Sequence, residues 1–542
     1  MKGQFMDNKK NIKILDCTLR DGGFINDWDF GHYAIYNIVN RLIESNIDFL
    51  EVGFLHNERD FGINRTITKH TSDFSNIIKI KNKKDAMILG MIILGEADIE
   101  NVGNADKTIL DGIRIVFKKH NIDKAFELAN KIKDKGYKIF LQPASVTDYS
   151  NKEMEYLAKK SISLNPYAVY IVDTYGLMHK NKVLNYFNIL NNNLSNDIYI
   201  GFHSHNNFQL SFANSIELVE LTTNRNIILD SSLFGMGKGV GNLNTELITD
   251  YLNKYHNYDY NVGQILELIN LEILKIRNTY SWGYSFNGFL AASNDCHPTY
   301  VKYLIDKNTI SVNSINKILQ KIDRDKKTIF YGDLIEKLYS DFLNNEIKDN
   351  KSIDYIFNKV NNRKILIIAP GGSVNNEKNK IDKFISDNNP IVVSINYYNE
   401  NLKTDFIFIN NAKRYNQMAE FIDSGKNEIE FILTSNITVI SSKENYHLIN
   451  YSDYLVEGDF EIIMHNATLM FIKLLKNMNI NNLYIAGFDG FSSNSGNNYA
   501  DKYLSYNTNI NFEKQNRLIG EKIIQFQKYI NITFLTKSYY KK

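Results

Sequence analysis

Gly201-Phe202-His203-Ser204-His205-Asn206-Asn207 is the stretch on which the reading of this chain turns. It continues a short β-type run, Ile198–Phe202. On a strand, residues two apart point to the same side, so His203 and His205 can present two imidazoles to one ion. Packed or surface histidines are the plain alternative. Outward from this stretch the same beat recurs: Ile12–Leu15, Phe49–Val52, Met87–Ile92, Gly112–Ile115, Tyr137–Leu141, Ala168–Val172 and Ile227–Ser231 are further strand candidates. Helix-length amphipathic patterns such as Ala34–Glu44, Ile122–Lys135 and Lys152–Ser161 lie between them. Eight such units in about 230 residues fit a closed parallel (β/α)₈ TIM barrel better than an open, doubly wound sheet. A barrel of this kind gathers its chemistry at the C-terminal ends of the strands, where His203 and His205 would sit.

The chain has 542 residues, too many for one hydrophobic core. Residues 1–250 are expected to form the barrel and 251–358, where Ile265–Ile276, Ser311–Ile322 and Leu334–Leu343 suggest helices, a helical annex completing it. A second α/β pattern over 359–542 predicts a Rossmann-like domain. Its strands are expected at Ile365–Ala369, Ile391–Ile395, Phe406–Ile409, Ile429–Thr434, Ile437–Ile440 and Leu483–Ala486.

Composition excludes several classes of function. Net charge is +2 from 63 basic and 61 acidic side chains, so no global field recruits nucleic acid or an anionic membrane. Two cysteines, Cys17 and Cys296, allow neither a disulfide framework nor a Cys-rich zinc site. No apolar run is long enough for a membrane span, and the opening residues lack a signal-peptide core. A soluble cytoplasmic protein, self-associating as a homo-oligomer, is expected.

The first strand supplies carboxylates for the two histidines. Ile14-Leu15-Asp16-Cys17-Thr18-Leu19-Arg20-Asp21-Gly22-Gly23 opens into the first barrel loop. Asp21 could give an oxygen ligand, and Arg20 could hold a substrate carboxylate or enolate with its planar fork. Asp16, lying deeper, could orient Arg20; a structural salt bridge and tight turn is the alternative. Glu51 could support the metal site, with a buried ion pair to Arg20 as its plain alternative. Gly235-Met236-Gly237-Lys238-Gly239-Val240-Gly241-Asn242 reads as an anion nest, or as the loop that brings the Asn242 amide to the metal. A Schiff-base aldolase would need an inward lysine at a strand end; Lys238 lies in the glycine-rich loop instead, which disfavours that mechanism.

Together these pieces resemble the DRE-TIM (HMGL-like) metallolyases, which include 4-hydroxy-2-oxovalerate aldolase, hydroxymethylglutaryl-CoA lyase and the isopropylmalate and homocitrate synthases. The resemblance rests on Asp16–Gly22, Glu51-Val52-Gly53, Val172-Asp173-Thr174-Tyr175-Gly176, His203–Asn206 and the run ending in Asn242, in family order. It implies Mn²⁺ or Mg²⁺ held by Asp21, His203 and His205, with Asn242 as a further ligand. The aldolase branch fits better than the acyl-CoA branches. It implies reversible cleavage of a 4-hydroxy-2-oxo acid to pyruvate and an aldehyde, with Arg20 at the enolate and Asp173 beside the metal. A Claisen-type synthase, or a non-catalytic barrel scaffold carrying a nucleotide-sugar-binding or transferase domain, is the alternative. The family's base is a histidine shortly after Arg-Asp-Gly, where this chain has Phe24; His56 is the expected replacement, ahead of Tyr175 and His297.

In the second domain, Ile365–Ala369 runs into Pro370-Gly371-Gly372-Ser373, and Ile485-Ala486-Gly487-Phe488-Asp489 ends a later strand. Gly371, Gly372, Ser373 and Asp489 are the expected contacts for a nucleotide or nucleotide-sugar phosphate. The pattern resembles bacterial sialyltransferase-like and glycosyltransferase-like domains, which implies a role in surface carbohydrate biosynthesis. A purely structural domain is the alternative. After Cys296 the chain has no cysteine, so this domain cannot supply the thiol of an acylating aldehyde dehydrogenase.

Overall fold

A computed structural model describes residues 11–307, 310–327, 329–344, 346–424, 429–440, 445–492, 498–501, 504 and 511–541. The chain divides into two compact units. One runs through Pro298 and includes Lys327–Ile329; the other comprises Thr299–Lys326 and Phe330–Lys542. The segment read as a single annex, 251–358, is thus shared between the two units.

In the first unit, parallel strands β1 (Ile12–Asp16), β2 (Phe49–Leu55), β3 (Met87–Ile93), β4 (Gly112–Phe117), β5 (Lys138–Pro143), β6 (Ala168–Asp173), β7 (Tyr199–Ser204) and β8 (Ile227–Ser231) pair in sequence order. The barrel closes because β1 pairs with both neighbours, Leu15 with Phe49 and Ile14 with Leu229. A two-residue strand, Ile67–Thr68, adds to β2 where its register shifts between Glu51 and Phe54.

Alternation sorts every strand into two faces. Ile12, Ile14, Ile113, Ile115, Ile139, Leu141, Ile200 and Phe202 join the cluster beneath the helices, while Leu15, Cys17, Phe49, Leu89, Phe140 and Tyr170 fill the interior. Both faces are buried, which is why these strands read as nearly continuous apolar runs. The helix His32–Glu44 shows how the outer layer attaches. Ile35, Ile38, Val39, Leu42 and Ile43 recur at helical spacing and are buried. Truncating Leu42 to Ala would cost about 2–5 kcal/mol. Helix Asn151–Leu164 starts at a reciprocal cap: Ser150 Oγ accepts from the Glu153 N–H, and the Glu153 carboxylate accepts from the Ser150 N–H.

The second unit carries a seven-stranded parallel sheet: β9 (Ile365–Ile368), β10 (Ile391–Ile395), β11 (Phe406–Ile409), β12 (Glu430–Thr434), β13 (Tyr446–Ile449), β14 (Asn482–Ala486) and β15 (Asn531–Phe534). Their spatial order is β13-β12-β11-β10-β9-β14-β15. The chain moves outward from β9 to β13, then returns to β9's other side, so β9 and β14 flank a topological switch point. The expected strand Ile437–Ile440 is not formed. Ser435 and Asn436 turn the chain, the Ile437 N–H bonds back to the Thr434 carbonyl, and Ile437 is buried as a loop residue. The next strand is Tyr446–Ile449 instead. No helix among the described residues is long and apolar enough to cross a membrane.

Candidate metal centre at the mouth of the barrel

β7 points Gly201 and His203 inward, and His205 follows at the rim. A Cβ at Gly201 would stand 2.4 Å from the Tyr170 ring, so glycine is what lets that ring lie across β7. His205 is held from both sides: its N–H bonds to the Asp173 carbonyl, and its backbone bridges to Asn242. On β1 the chain turns at once, the Arg20 and Asp21 N–H groups both returning to the Cys17 carbonyl. At Gly22 a Cβ would meet the Thr18 carbonyl oxygen at 2.3 Å, so this turn also requires glycine.

These turns bring Asp21, His203 and His205 together, with their ligand atoms all within 4.8 Å of one another. His205 Nε2 is 3.9 Å from Asp21 Oδ2, and the two imidazole centroids are 5.3 Å apart. All three side chains are buried. Burial works to raise the Asp21 pKa, but the Arg20 charge, with His205 and His203, holds this carboxyl well below the usual carboxylate range. Burial lowers His205 to about 4, so its imidazole is neutral at pH 7. Both groups are therefore in the forms that ligate.

Asn242 lies against this set. Its Nδ2 donates to Asp21 Oδ2 at 2.5 Å, while its buried Oδ1 makes no hydrogen bond. An unsatisfied buried amide oxygen beside a carboxylate and two imidazoles is what a cation would relieve. Two nitrogen and two oxygen donors fit Mn²⁺ or Mg²⁺, and also Zn²⁺ or Fe²⁺.

A chain of buried charges links the triad from below. Arg20 donates to Asp21 Oδ1 at 2.7 Å and through Nε to Glu51 Oε2 at 2.6 Å. Arg114 pairs with Glu51 at 2.8 Å and with Asp230, and its guanidinium lies 4.8 Å from the Tyr170 ring centroid. Asp230 Oδ2 in turn meets His203 Nδ1 at 2.9 Å. Glu51, rather than Asp16, thus orients Arg20. Asp16 accepts from the Thr18 N–H and the Thr245 hydroxyl.

The other expected residues divide. Asp173 is buried, but its two carboxylate oxygens accept from the Leu177 and Met178 N–H groups, so it shapes its own loop. His56 Nδ1 accepts from the Glu58 N–H, and its Nε2 is 4.0 Å from Glu96. Tyr175 meets the His297 ring edge-on at 6.3 Å. Arg114 and Asp230 escaped sequence reasoning, although each is a charge inside an otherwise apolar strand, a signal that demands a buried partner.

In the second unit, two of the amides expected to receive a phosphate, those of Gly371 and Ser373, are already used. Asp489 accepts from the Ser373 N–H at 2.7 Å and from its hydroxyl, and the Gly371 N–H bonds to the Gly487 carbonyl. The anion at this turn is the chain's own Asp489, and the helix there has four residues. In front of it, at the β9/β14 switch point, opens a cavity of about 190 Å³ whose lining includes Asn396, Asn411, Arg414, Asn466, Thr468 and Tyr499.

Residues 11–271 match the HMGL-like family. The chain is similar to 4-hydroxy-2-oxovalerate aldolase of Geobacillus thermodenitrificans, 25% identical over 257 residues that are 46% of this chain and 71% of the aldolase. It is also similar to 2-isopropylmalate synthase of Sulfurisphaera tokodaii, 25% identical over 48% of this chain and 66% of the synthase. Hydroxymethylglutaryl-CoA lyase from Pseudomonas aeruginosa, a solved structure, aligns over 55% of this chain and 98% of its own at 14% identity and a TM-score of 0.42. The residues matched by that family include the whole barrel, and its candidate triad is that of a metal-dependent enzyme.

Proposed function

We propose that the barrel is a class II carbon–carbon lyase that cleaves or forms a 4-hydroxy-2-oxo acid through a pyruvate enolate. The observation that carries this reading is the sharing of Asp21 between the metal triad and Arg20. When bound, Mn²⁺ or Mg²⁺ supplies Lewis-acid stabilisation of charge developing on the 2-oxo oxygen. Arg20, fixed by Glu51 and Asp21, offers its remaining donors to the oxo acid. In cleavage a base takes the proton of the C4 hydroxyl and the C3–C4 bond breaks. C4 leaves as the aldehyde, and the electron pair stays on C3 as the enolate, which is then protonated to pyruvate.

Proton traffic is assigned to the Tyr175–His297 pair. Burial, with the Lys238 and Lys118 charges, lowers the His297 pKa, so its imidazole is neutral and able to accept. Burial pushes Tyr175 up to about 12, leaving a phenol able to donate. Lys238 bears on both His205 and His297, which supports a common site; His56 has Glu58 and Glu96 as its neighbours. Release of pyruvate from 4-hydroxy-2-oxo acids by the metal-loaded protein tests the reading, and comparison of H297A with H56A tests the base. Loss of turnover in H56A alone would return the role to His56.

The second unit is proposed to bind a nucleotide or nucleotide-sugar at the switch-point cavity, with Arg414 facing its phosphate. Crevices at such points are the ligand sites of open α/β sheets. An oxo-acid lyase joined to such a unit suits surface carbohydrate assembly in the cytoplasm. Calorimetric titration of the full chain with a nucleotide-sugar panel tests this, with heat expected from wild type and none from R414A. Heat unchanged in R414A, or silence across the panel, would overturn it.

A further inference from the structure

The loop after β8 holds one charge to which the proposed chemistry gives no partner on the substrate. Gly237 packs so tightly on the metal set that a Cβ there would stand 2.3 Å from Asn242 Nδ2 and 2.7 Å from Asp21 Oδ2. Lys238 is therefore the first side chain the loop can extend over the site. It is exposed, and its ammonium lies 5.0 Å from the centroid of the Phe24 ring, three residues beyond Asp21. Phe24 itself leans edge-on against Trp28 at 4.7 Å, and the Trp28 indole N–H is bonded to the Arg20 carbonyl. The cation is thus seated on an aromatic floor built from the same turn that supplies Arg20 and Asp21. Gly239 and Gly241, at φ +67° and +80°, bend the loop back to deliver Asn242.

Lys238 follows Gly237, which packs on Asn242 and Asp21, so its side chain leaves the backbone at the rim of the metal triad. Lys118, the residue after β4 and likewise exposed, stands at the same C-terminal end of the barrel strands. A 2-oxo acid bound at the triad has its carboxylate accounted for by Arg20 and the metal. Two further cations at the same mouth call for a second negative group, carried by the other half of the substrate.

We propose that Lys238, assisted by Lys118, binds a carboxylate or phosphate on the aldehyde half of the substrate, so that the barrel acts on an anionic aldehyde. The inference rests on the lyase reading above and narrows its substrate class. Cation–π contact with Phe24 holds the ammonium in place without neutralising it, leaving it able to pair with an incoming anion.

The test uses the Mn²⁺-loaded full chain and the aldol-addition direction. Pyruvate is paired with succinic semialdehyde, with glyceraldehyde 3-phosphate and, as neutral comparators, with acetaldehyde and propanal. Wild type is expected to prefer at least one anionic aldehyde by tenfold or more in kcat/KM, and the arm that wins distinguishes carboxylate from phosphate. K238M is expected to cut that anionic-to-neutral ratio at least tenfold, chiefly through KM, and K238R to restore most of it. Independently of turnover, binding of glycerol 3-phosphate and 4-hydroxybutyrate, followed by tryptophan fluorescence, should weaken in K238M in the anionic arm that wins. A wild-type preference for neutral aldehydes, or a ratio unchanged in K238M, would overturn the inference while leaving the lyase intact. Failure of addition with every aldehyde, together with absent pyruvate enolisation, would instead overturn the lyase reading and this inference with it.

Discussion

Asp230 Oδ2 lies 2.9 Å from His203 Nδ1, so one buried carboxylate fixes the ring that contributes to the metal triad. A proton on Nδ1 directed at Asp230 leaves Nε2 as the ligating nitrogen. Replacing Asp230 with Asn should weaken Mn²⁺ binding by about 10–100-fold without unfolding the barrel. Calorimetric titration of the variant checks this; an unchanged affinity would make Asp230 only a partner for Arg114.

Arg114 is fully buried between Glu51 and Asp230, and truncating it strands two carboxylates in the barrel interior. Arg114→Met should cost about 3–5 kcal/mol. Both tryptophans, Trp28 and Trp282, belong to the barrel unit, so their fluorescence during denaturant unfolding reports that unit. A midpoint equal to wild type would contradict the account of the charge chain.

Arg20→Lys should lower kcat/KM at least tenfold while metal content stays near wild type. The guanidinium spans Glu51 and Asp21 at 2.6 and 2.7 Å through different nitrogens, and one ammonium cannot reproduce that fork and still face a substrate. Near-normal kinetics in R20K would place Arg20 in the scaffold.

His205 should titrate near pH 4 in the metal-free protein, as read by NMR of ¹³C-labelled histidine. Its folded pKa lies below the unfolded value, so between about pH 6.5 and 4 the unfolded chain binds more protons. The contribution of His205 to stability therefore falls as pH drops through that window. Asp16 and Asp173, each pushed up to about 6 by burial, act in the opposite sense and favour the fold at the lower pH. A His205 titration near 6.5 would mean that the site is open to water.

The barrel was legible because its strands are buried on both faces and its glycines and histidines fall at strand ends; all eight strands form where the β-type runs predict them. The triad was legible for the same reason, since Asp21, His203 and His205 share one rim. Long-range pairing was not. Nothing local chooses between Asp16 and the distant Glu51 as the partner of Arg20. At the Gly371–Ser373 turn the internal carboxylate of Asp489 takes the Ser373 N–H and hydroxyl, a pairing across the chain that local sequence does not announce. Ile437–Ile440 has strand composition, but the Ser435-Asn436 turn denies it a place in the sheet.

If the triad and Arg20 together stabilise a pyruvate enolate, the protein exchanges the pyruvate methyl protons in D₂O. Protein loaded with one Mn²⁺ or Mg²⁺ per chain should exchange those protons without any aldehyde present. H203A and H205A should lose both the metal and the exchange. Stoichiometric metal at Asp21, His203 and His205 with no exchange above the metal-in-solution rate would contradict the account at its centre.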